Sequence, residues 1–303
     1  MNPARIAVAL FGPEGRGSFN ESGYAGVLRA RADGHAVDLH WIAPLDGSER
    51  ADALRAILKP GLDLMVAHGG QGDVPVSRVA AEFPGTRFAI TQGGFLASNV
   101  ACYEVMQEHS AFLAGILAGM ASRTRVVAHM SGEKVRPGLM GRAAFAHGVR
   151  MVAPDCRFVT RFCGNQHDAQ LAYETTTALQ AQGADYLFAM IDGGREGASR
   201  ACRETGLRQI GNVLDWVARD PDVFAASAIA DSGSCIAEAI HDYTSDRLHC
   251  GHTVVHGIGE PNYVRLVLAP ELERAHGIAL AHWRERLLRG EFMIKTEYTG
   301  PEF

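Results

Sequence analysis

The sequence predicts an α/β protein built as two Rossmann-like lobes. Three observations predict it. Short apolar runs alternate with longer segments of helical period, the pattern of a parallel sheet with crossover helices. The 34 glycines fall mostly just after the apolar runs, where strand-to-helix turns belong. Two such series of similar size follow one another along 303 residues, enough chain for two cores.

Taken in order, residues 5–10 (RIAVAL) read as a buried strand. The chain then turns through Gly12, Pro13, Gly15 and Gly17. Ser18 is the expected N-cap of a helix over residues 20–33, with Glu21 closing a capping box. Strand 36–42 precedes helix 47–58, which Lys59-Pro60-Gly61 ends. Strand 64–67 runs into His68-Gly69-Gly70. Helix 74–83 stops at Pro84-Gly85 and strand 87–91 follows. A short strand at 99–103 leads to helix 107–122, which is strongly apolar and carries small residues for close packing.

The second series opens with strand 125–130 and a turn at Ser131-Gly132. Helix 139–152, strand 157–162, helix 168–182 and strand 186–191 come next. Asp192-Gly193-Gly194 then leads toward helix 198–205 and the short strand 209–212. The chain finishes with strand 224–229, helix 235–244, strands 253–258 and 264–268, and helix 271–288. The predicted boundary lies near Arg123-Thr124. Helix 235–244 crosses back, so residues 1–123 with about 233–258 form lobe 1, and 124–232 with about 259–303 form lobe 2.

Composition narrows the function. Hydrophobic residues make up 47% and charged residues 21%, the balance of an ordinary globular chain. The net charge of -5 and the lack of a Lys/Arg run argue against a nucleic-acid partner. No stretch approaches the roughly 18 apolar residues of a membrane span. Met1 leads within a few residues into the first strand, with no leader-like segment. A cytoplasmic protein is therefore expected, with a processed periplasmic form as the alternative. The six cysteines show no CxxC spacing and read as reduced thiols.

Two motifs then point to a family. Residues 17–26, GSFNESGYAG, resemble the SFNQ-x-x-x-x-G signature of the basic membrane protein (BMP, PnrA-like) family, substrate-binding proteins of purine and nucleoside ABC importers. Residues 111–122, AFLAGILAGMAS, resemble its AFLAG-x-x-AG-x-x-S helix. Gly183-Ala184-Asp185 is similar to the family's GAD turn. Ile210-Gly211-Asn212 and Ser227 fall where it has an IG(V)D turn and a TS-containing strand. The resemblance implies a type I periplasmic-binding-protein fold with a ligand cleft between its lobes, no catalysis, no cofactor, a nucleobase- or nucleoside-like ligand and an ABC permease as partner.

Departures from the nucleoside binders stand at Arg16, Gln92 and Asn212, each where the resemblance implies an aspartate that holds ribose. The implied lysine falls near Ala230 or Asp231. Ile191-Asp192 and the run Asn212 to Trp216 instead resemble the nucleobase-binding branch, which favours a flat heterocycle.

The candidate contacts are Phe19, Asn20, Tyr24, His68, Gln92, Gln166, Asp192, Asn212, Asp215 and Trp216. Tyr24 and Trp216 offer π-faces for a base, or they pack on the scaffold. Asn20 offers a donor and an acceptor, or it caps locally. Asp192 can accept from a ring N–H, or it caps the next helix. His68 and Gln92 end strands and can donate to a ligand or serve the fold. Phe19 is a core residue or a ligand contact. Gln166 lies in the loop after residue 162, where the resemblance implies a contact, and the neighbouring Asp168 reads as an N-cap.

No metal site is expected. His252 and His256 flank a strand and stand roughly 13 Å apart, too far for one ion. A nucleotide-dependent enzyme such as an oxidoreductase ranks third, because Gly12-x-x-Gly15-x-Gly17 has the wrong order for a dinucleotide fingerprint. Nucleoside hydrolysis would need a DxDxxxDD cluster, which is missing. A cytoplasmic sensor of the same fold is the alternative function, and the sequence shows no helix-turn-helix ahead of the first strand.

Overall fold

The computed structural model describes residues 4–14, 17–43 and 46–303. The chain forms two compact units, Met1–Val105 with Asp231–His256 and Met106–Ala230 with Gly257–Phe303.

Unit 1 holds strands β1 (Ile6–Phe11), β2 (Val37–Ile42), β3 (Leu64–His68), β4 (Arg87–Thr91) and β5 (Val100–Val105), and helices α1 (Ser18–Ala32), α2 (Gly47–Leu58) and α3 (Asp73–Val79). In unit 2, α4 (Gln107–Ala121) precedes β6 (Val126–Ser131), α5 (Arg136–Val152), β7 (Arg157–Phe162), α6 (Ala169–Ala181), β8 (Tyr186–Met190), α7 (Arg195–Thr205), β9 (Arg208–Val213) and β10 (Phe224–Ala230). The chain returns to unit 1 for α8 (Ser232–Thr244) and β11 (Thr253–His256). It ends in unit 2 with β12 (Val264–Leu268) and α9 (Pro270–Leu288).

The sheet of unit 1 has the order β11-β5-β4-β3-β1-β2, all parallel. That of unit 2 has the order β12-β10-β9-β8-β6-β7, parallel except for β12, which runs antiparallel to β10. Each unit therefore repeats one winding, second strand beside first, then third, fourth and fifth. In that order the chain reverses direction beside the first strand. The carboxyl ends of the first and third strands then open a crevice, the usual ligand position of an open α/β sheet. In unit 1 these strands are β1 and β3, and in unit 2 they are β6 and β8.

Strands covered by helices on both faces must be apolar throughout. β1, β3, β8 and β10 are buried at every residue. One core of unit 1 gathers Phe11, Leu54, Leu58, Met65, Phe88 and Ile90 under α2 and α3.

Helix 107–122, placed in lobe 1 by the sequence, belongs to unit 2. Its buried face packs against α5, β10 and β12, so the first segment of unit 1 ends at Val105 rather than residue 123. The expected cap of α1 also shifts. Gly17 is the N-cap, at φ 89°, and Ser18 is already helical, so no capping box forms there. The helix expected over 74–83 is α3 followed by a separate 3-10 turn at Ala80–Glu82. α5 begins three residues early because Pro137 is tolerated in the first turn, where a missing N–H costs nothing. Asp168 does cap α6, accepting from the Leu171 N–H at 2.9 Å.

Candidate functional site at the carboxyl edges of the two sheets

In unit 1 the chain leaves β1 at Phe11 and re-enters regular structure at Ser18. Asn20 is buried, and its Nδ2 donates to the Phe11 carbonyl at 3.0 Å. That bond pins the start of α1 to the end of β1. Among the described residues none donates to the amide oxygen of Asn20. Phe19 is half-buried, and its ring lies on the imidazole of His68, with centroids 4.3 Å apart and planes at 19°.

His68 is spent inside unit 1. Its Nε2 faces the Phe19 carbonyl at 3.1 Å, and its Nδ1 faces the Thr91 hydroxyl at 2.8 Å. A carbonyl only accepts, so Nε2 carries the proton and Nδ1 accepts from Thr91. Burial holds the imidazole neutral, with its pKa pushed down to about 4. The expected donor is therefore a support for Phe19.

Gln92 is likewise consumed. Its Nε2 donates to the Val105 carbonyl at 3.1 Å, and its Oε1 accepts from the Val105 N–H at 2.6 Å. The side chain acts as an extra rung between the ends of β4 and β5. It stands at φ 54°, a left-handed backbone that few non-glycine residues adopt. Tyr24 sits one turn beyond Asn20, 40% exposed, tilted toward Trp41 of β2 at 6.5 Å between centroids. Arg16 lies outside the described residues.

In unit 2 the loop after β7 crosses to the end of β8. The Gln166 carbonyl accepts from the N–H groups of Asp192 and Gly194, at 3.1 and 2.9 Å. Among the described residues none pairs with the side-chain amide of Gln166. Asp192 is buried one residue from Gly193, and Gly194 rather than Asp192 is the N-cap of α7.

Three further candidates serve the loop itself. Asp215 Oδ1 accepts from the Ala218 N–H at 3.1 Å and from the Ser227 hydroxyl at 3.2 Å, which closes the turn after β9. Asn212 Oδ1 accepts from the Arg195 guanidinium. Trp216 stacks on Phe224, with centroids 5.5 Å apart, and lies beneath the guanidinium groups of Arg195 and Arg219, at 4.5 and 4.8 Å. Its Nε1 donates to the Asn212 carbonyl at 2.9 Å. The indole is built into the scaffold, and the stacking platform expected there is taken by protein. Gly211 makes room for it, since a Cβ there would stand 2.3 Å from Trp216 Cδ1. Val213 next to this turn holds φ 69°, a strained value for a β-branched residue.

Arg195 was missed. It begins α7, is 3% exposed, and donates to the carbonyls of Ala189 and Ile191 as well as to Asn212. An arginine after two glycines reads as an exposed helix start. Its partners at the ends of β8 and β9 hold it inward in the folded unit.

The edges thus carry Asn20 and Phe19 in unit 1, and Gln166 and Asp192 in unit 2. Tyr24, His68, Gln92, Asn212, Asp215 and Trp216 instead hold the scaffold or flank it. Taken by itself, each edge offers polar groups that can exchange hydrogen bonds with a solute, and that of unit 1 adds the Phe19 ring.

Residues 4–286 match the family model of the Bmp family, ABC transporter substrate-binding protein PnrA-like. The chain belongs to this family. Among solved structures it is similar to an ABC transporter solute-binding protein from Aeropyrum pernix K1, at a TM-score of 0.84 and 20% identity over 97% of this chain and 94% of that one. This likeness shows the type I periplasmic-binding fold. Among curated proteins it is similar to the transcriptional activator protein med of Bacillus subtilis, 24% identical over 64% of this chain and 60% of that protein. An uncharacterized lipoprotein of Pyrococcus furiosus is 25% identical over 70% of this chain and 53% of its own length. The Bmp-family chain therefore spans little more than half the length of these relatives. Among its described residues no helix is long and apolar enough to cross a membrane. The lipoprotein relative leaves the cytoplasmic expectation without support.

Proposed function

We propose that this Bmp-family protein is a non-catalytic receptor for a purine-like or other flat heterocyclic solute, which it delivers to an ABC permease. The observation that carries the reading is the paired winding of the two sheets, with Asn20 and Asp192 buried where the carboxyl edge of each one opens. A buried carboxylate at Asp192 accepts from a ring N–H or exocyclic amine. The spare amide oxygen of Asn20 and the amide of Gln166 offer complementary groups, and the Phe19 ring supplies the face. Gln92 and Asn212, standing where nucleoside binders use aspartates, are occupied by Val105 and Arg195, which supports a ligand without a fully recognised ribose. An importer receptor works on the outer side of the membrane, and this reading carries that compartment.

Calorimetry on variants tests the site. Asn20→Ala and Asp192→Asn should each weaken heterocycle binding about tenfold or more, the loss of roughly one buried polar contact. Tyr24→Ala should change it little. Unchanged affinity in both of the first two variants removes the assignment.

The likeness to med favours a second reading, a solute sensor that reports to a partner protein instead of a permease. Uptake of labelled heterocycle that depends on this protein and on a permease separates the two.

A further inference from the structure

Unit 1 brings together three donor side chains from α8 and β11. α8 presents Cys235 and Glu238 three residues apart, hence on one helix face. β11 ends beside them at His256, whose strand partner is Val105. The Cys235 Sγ, a Glu238 carboxylate oxygen and a His256 ring nitrogen all lie within 4.8 Å of one another. Glu238 Oε2 and His256 Nε2 are 2.7 Å apart. Cys235 is fully buried, His256 is 6% exposed, and the Glu238 side chain keeps 23% of its surface.

The surroundings are negatively poised. Tyr103 of β5 donates to Asp242 Oδ2 at 2.9 Å. Its phenol is pushed far up, first by burial, then by that bond, and also by the charges of Asp242, Glu238 and Cys235. Burial disfavours any charge there, whereas the neighbouring carboxylates of Asp242 and Glu238 disfavour only a further anion and attract a cation.

We propose that Cys235, Glu238 and His256 form a binding site for a zinc-class divalent cation. Thiolate, imidazole and carboxylate are together the borderline-soft donor set of such ions, and three protein ligands leave a fourth position for water or a ligand. Around a tetrahedral ion these donors stand about 3.4–3.6 Å apart. The Glu238–His256 distance opens to admit the ion, and Glu238 is the partly exposed side chain that can give. Binding displaces the protons of the thiol and of the Glu238–His256 pair, so affinity rises with pH. His256 ends β11, three strands along the sheet from β3, so the site is removed from the crevice at β1 and β3 and does not depend on the solute assignment.

Cobalt titration of the chelator-treated 303-residue chain tests it. We expect about one ion per chain, a thiolate-to-cobalt charge-transfer band, and displacement of cobalt by zinc. Cys235→Ser should abolish the band, and Glu238→Gln should weaken binding about tenfold or more with the band kept. Cys250→Ser is the control, since Cys250 lines a separate cavity of about 300 Å³ with His249 and His252. No band, a band that survives Cys235→Ser, or a band lost in Cys250→Ser overturns the proposal. If Cys235→Ser fails to fold, Glu238→Gln decides, and unchanged affinity in it also overturns the proposal.

Discussion

The imidazole of His68 lies flat on the ring of Phe19 while its Nε2 donates to that residue's own carbonyl, 3.1 Å away. One buried histidine therefore fixes both the ring and the backbone of the residue that faces the carboxyl edge of unit 1. His68→Ala should weaken solute binding through Phe19 and lower stability by about 2–4 kcal/mol, the cost of a cavity and two orphaned partners. Calorimetry and urea unfolding check the two effects.

The same histidine makes stability depend on pH. Its folded pKa of about 4 lies below the usual 6.5, so the unfolded chain binds the extra proton between these values. Stability is full above pH 6.5 and is lost as pH falls toward 4, by about 3 kcal/mol for this group. His109 behaves alike and His129, driven to about 3, extends the loss further. Urea midpoints from pH 7 to pH 4 should fall steeply, and more gently in His68→Gln.

Gln92→Ala removes both bonds to the Val105 backbone and leaves a buried N–H and carbonyl unpaired. A loss of about 2 kcal/mol or more in urea unfolding is expected. A ligand contact would instead show as lost affinity at unchanged stability.

Gly233 on α8 meets Ser22 on α1 so closely that a Cβ would stand 1.8 Å from the Ser22 carbonyl oxygen. Ser22 also accepts from the Gly233 N–H and donates to Asp231, both at 2.9 Å. Gly233→Ala must push the helices apart, at a cost of about 3 kcal/mol or more. Thermal unfolding measures it.

Most of the fold was legible in the sequence because its central strands, such as β1, β3, β8 and β10, are near-continuous apolar runs. Their identity does not depend on what they meet, and β4, β7, α2 and β12 begin and end where the residues place them. The site was less legible because distant partners decide it. Gln92 reads as a polar strand end until Val105, thirteen residues on, takes both of its amide atoms. Trp216 reads as a loop aromatic until Phe224, Arg195 and Arg219 cover it. Cys235, Glu238 and His256 carry no recognisable spacing, since α8 and β11 meet only in the folded unit.

We propose that this family member binds a flat heterocycle through Asn20 and Asp192. Titration calorimetry of the chain with adenine, hypoxanthine and guanine beside their nucleosides tests it most directly. A nucleobase or related heterocycle should bind tighter than its nucleoside, and Asn20→Ala should abolish the preference. Tighter binding of nucleosides or sugars, undiminished in Asp192→Asn, would contradict it.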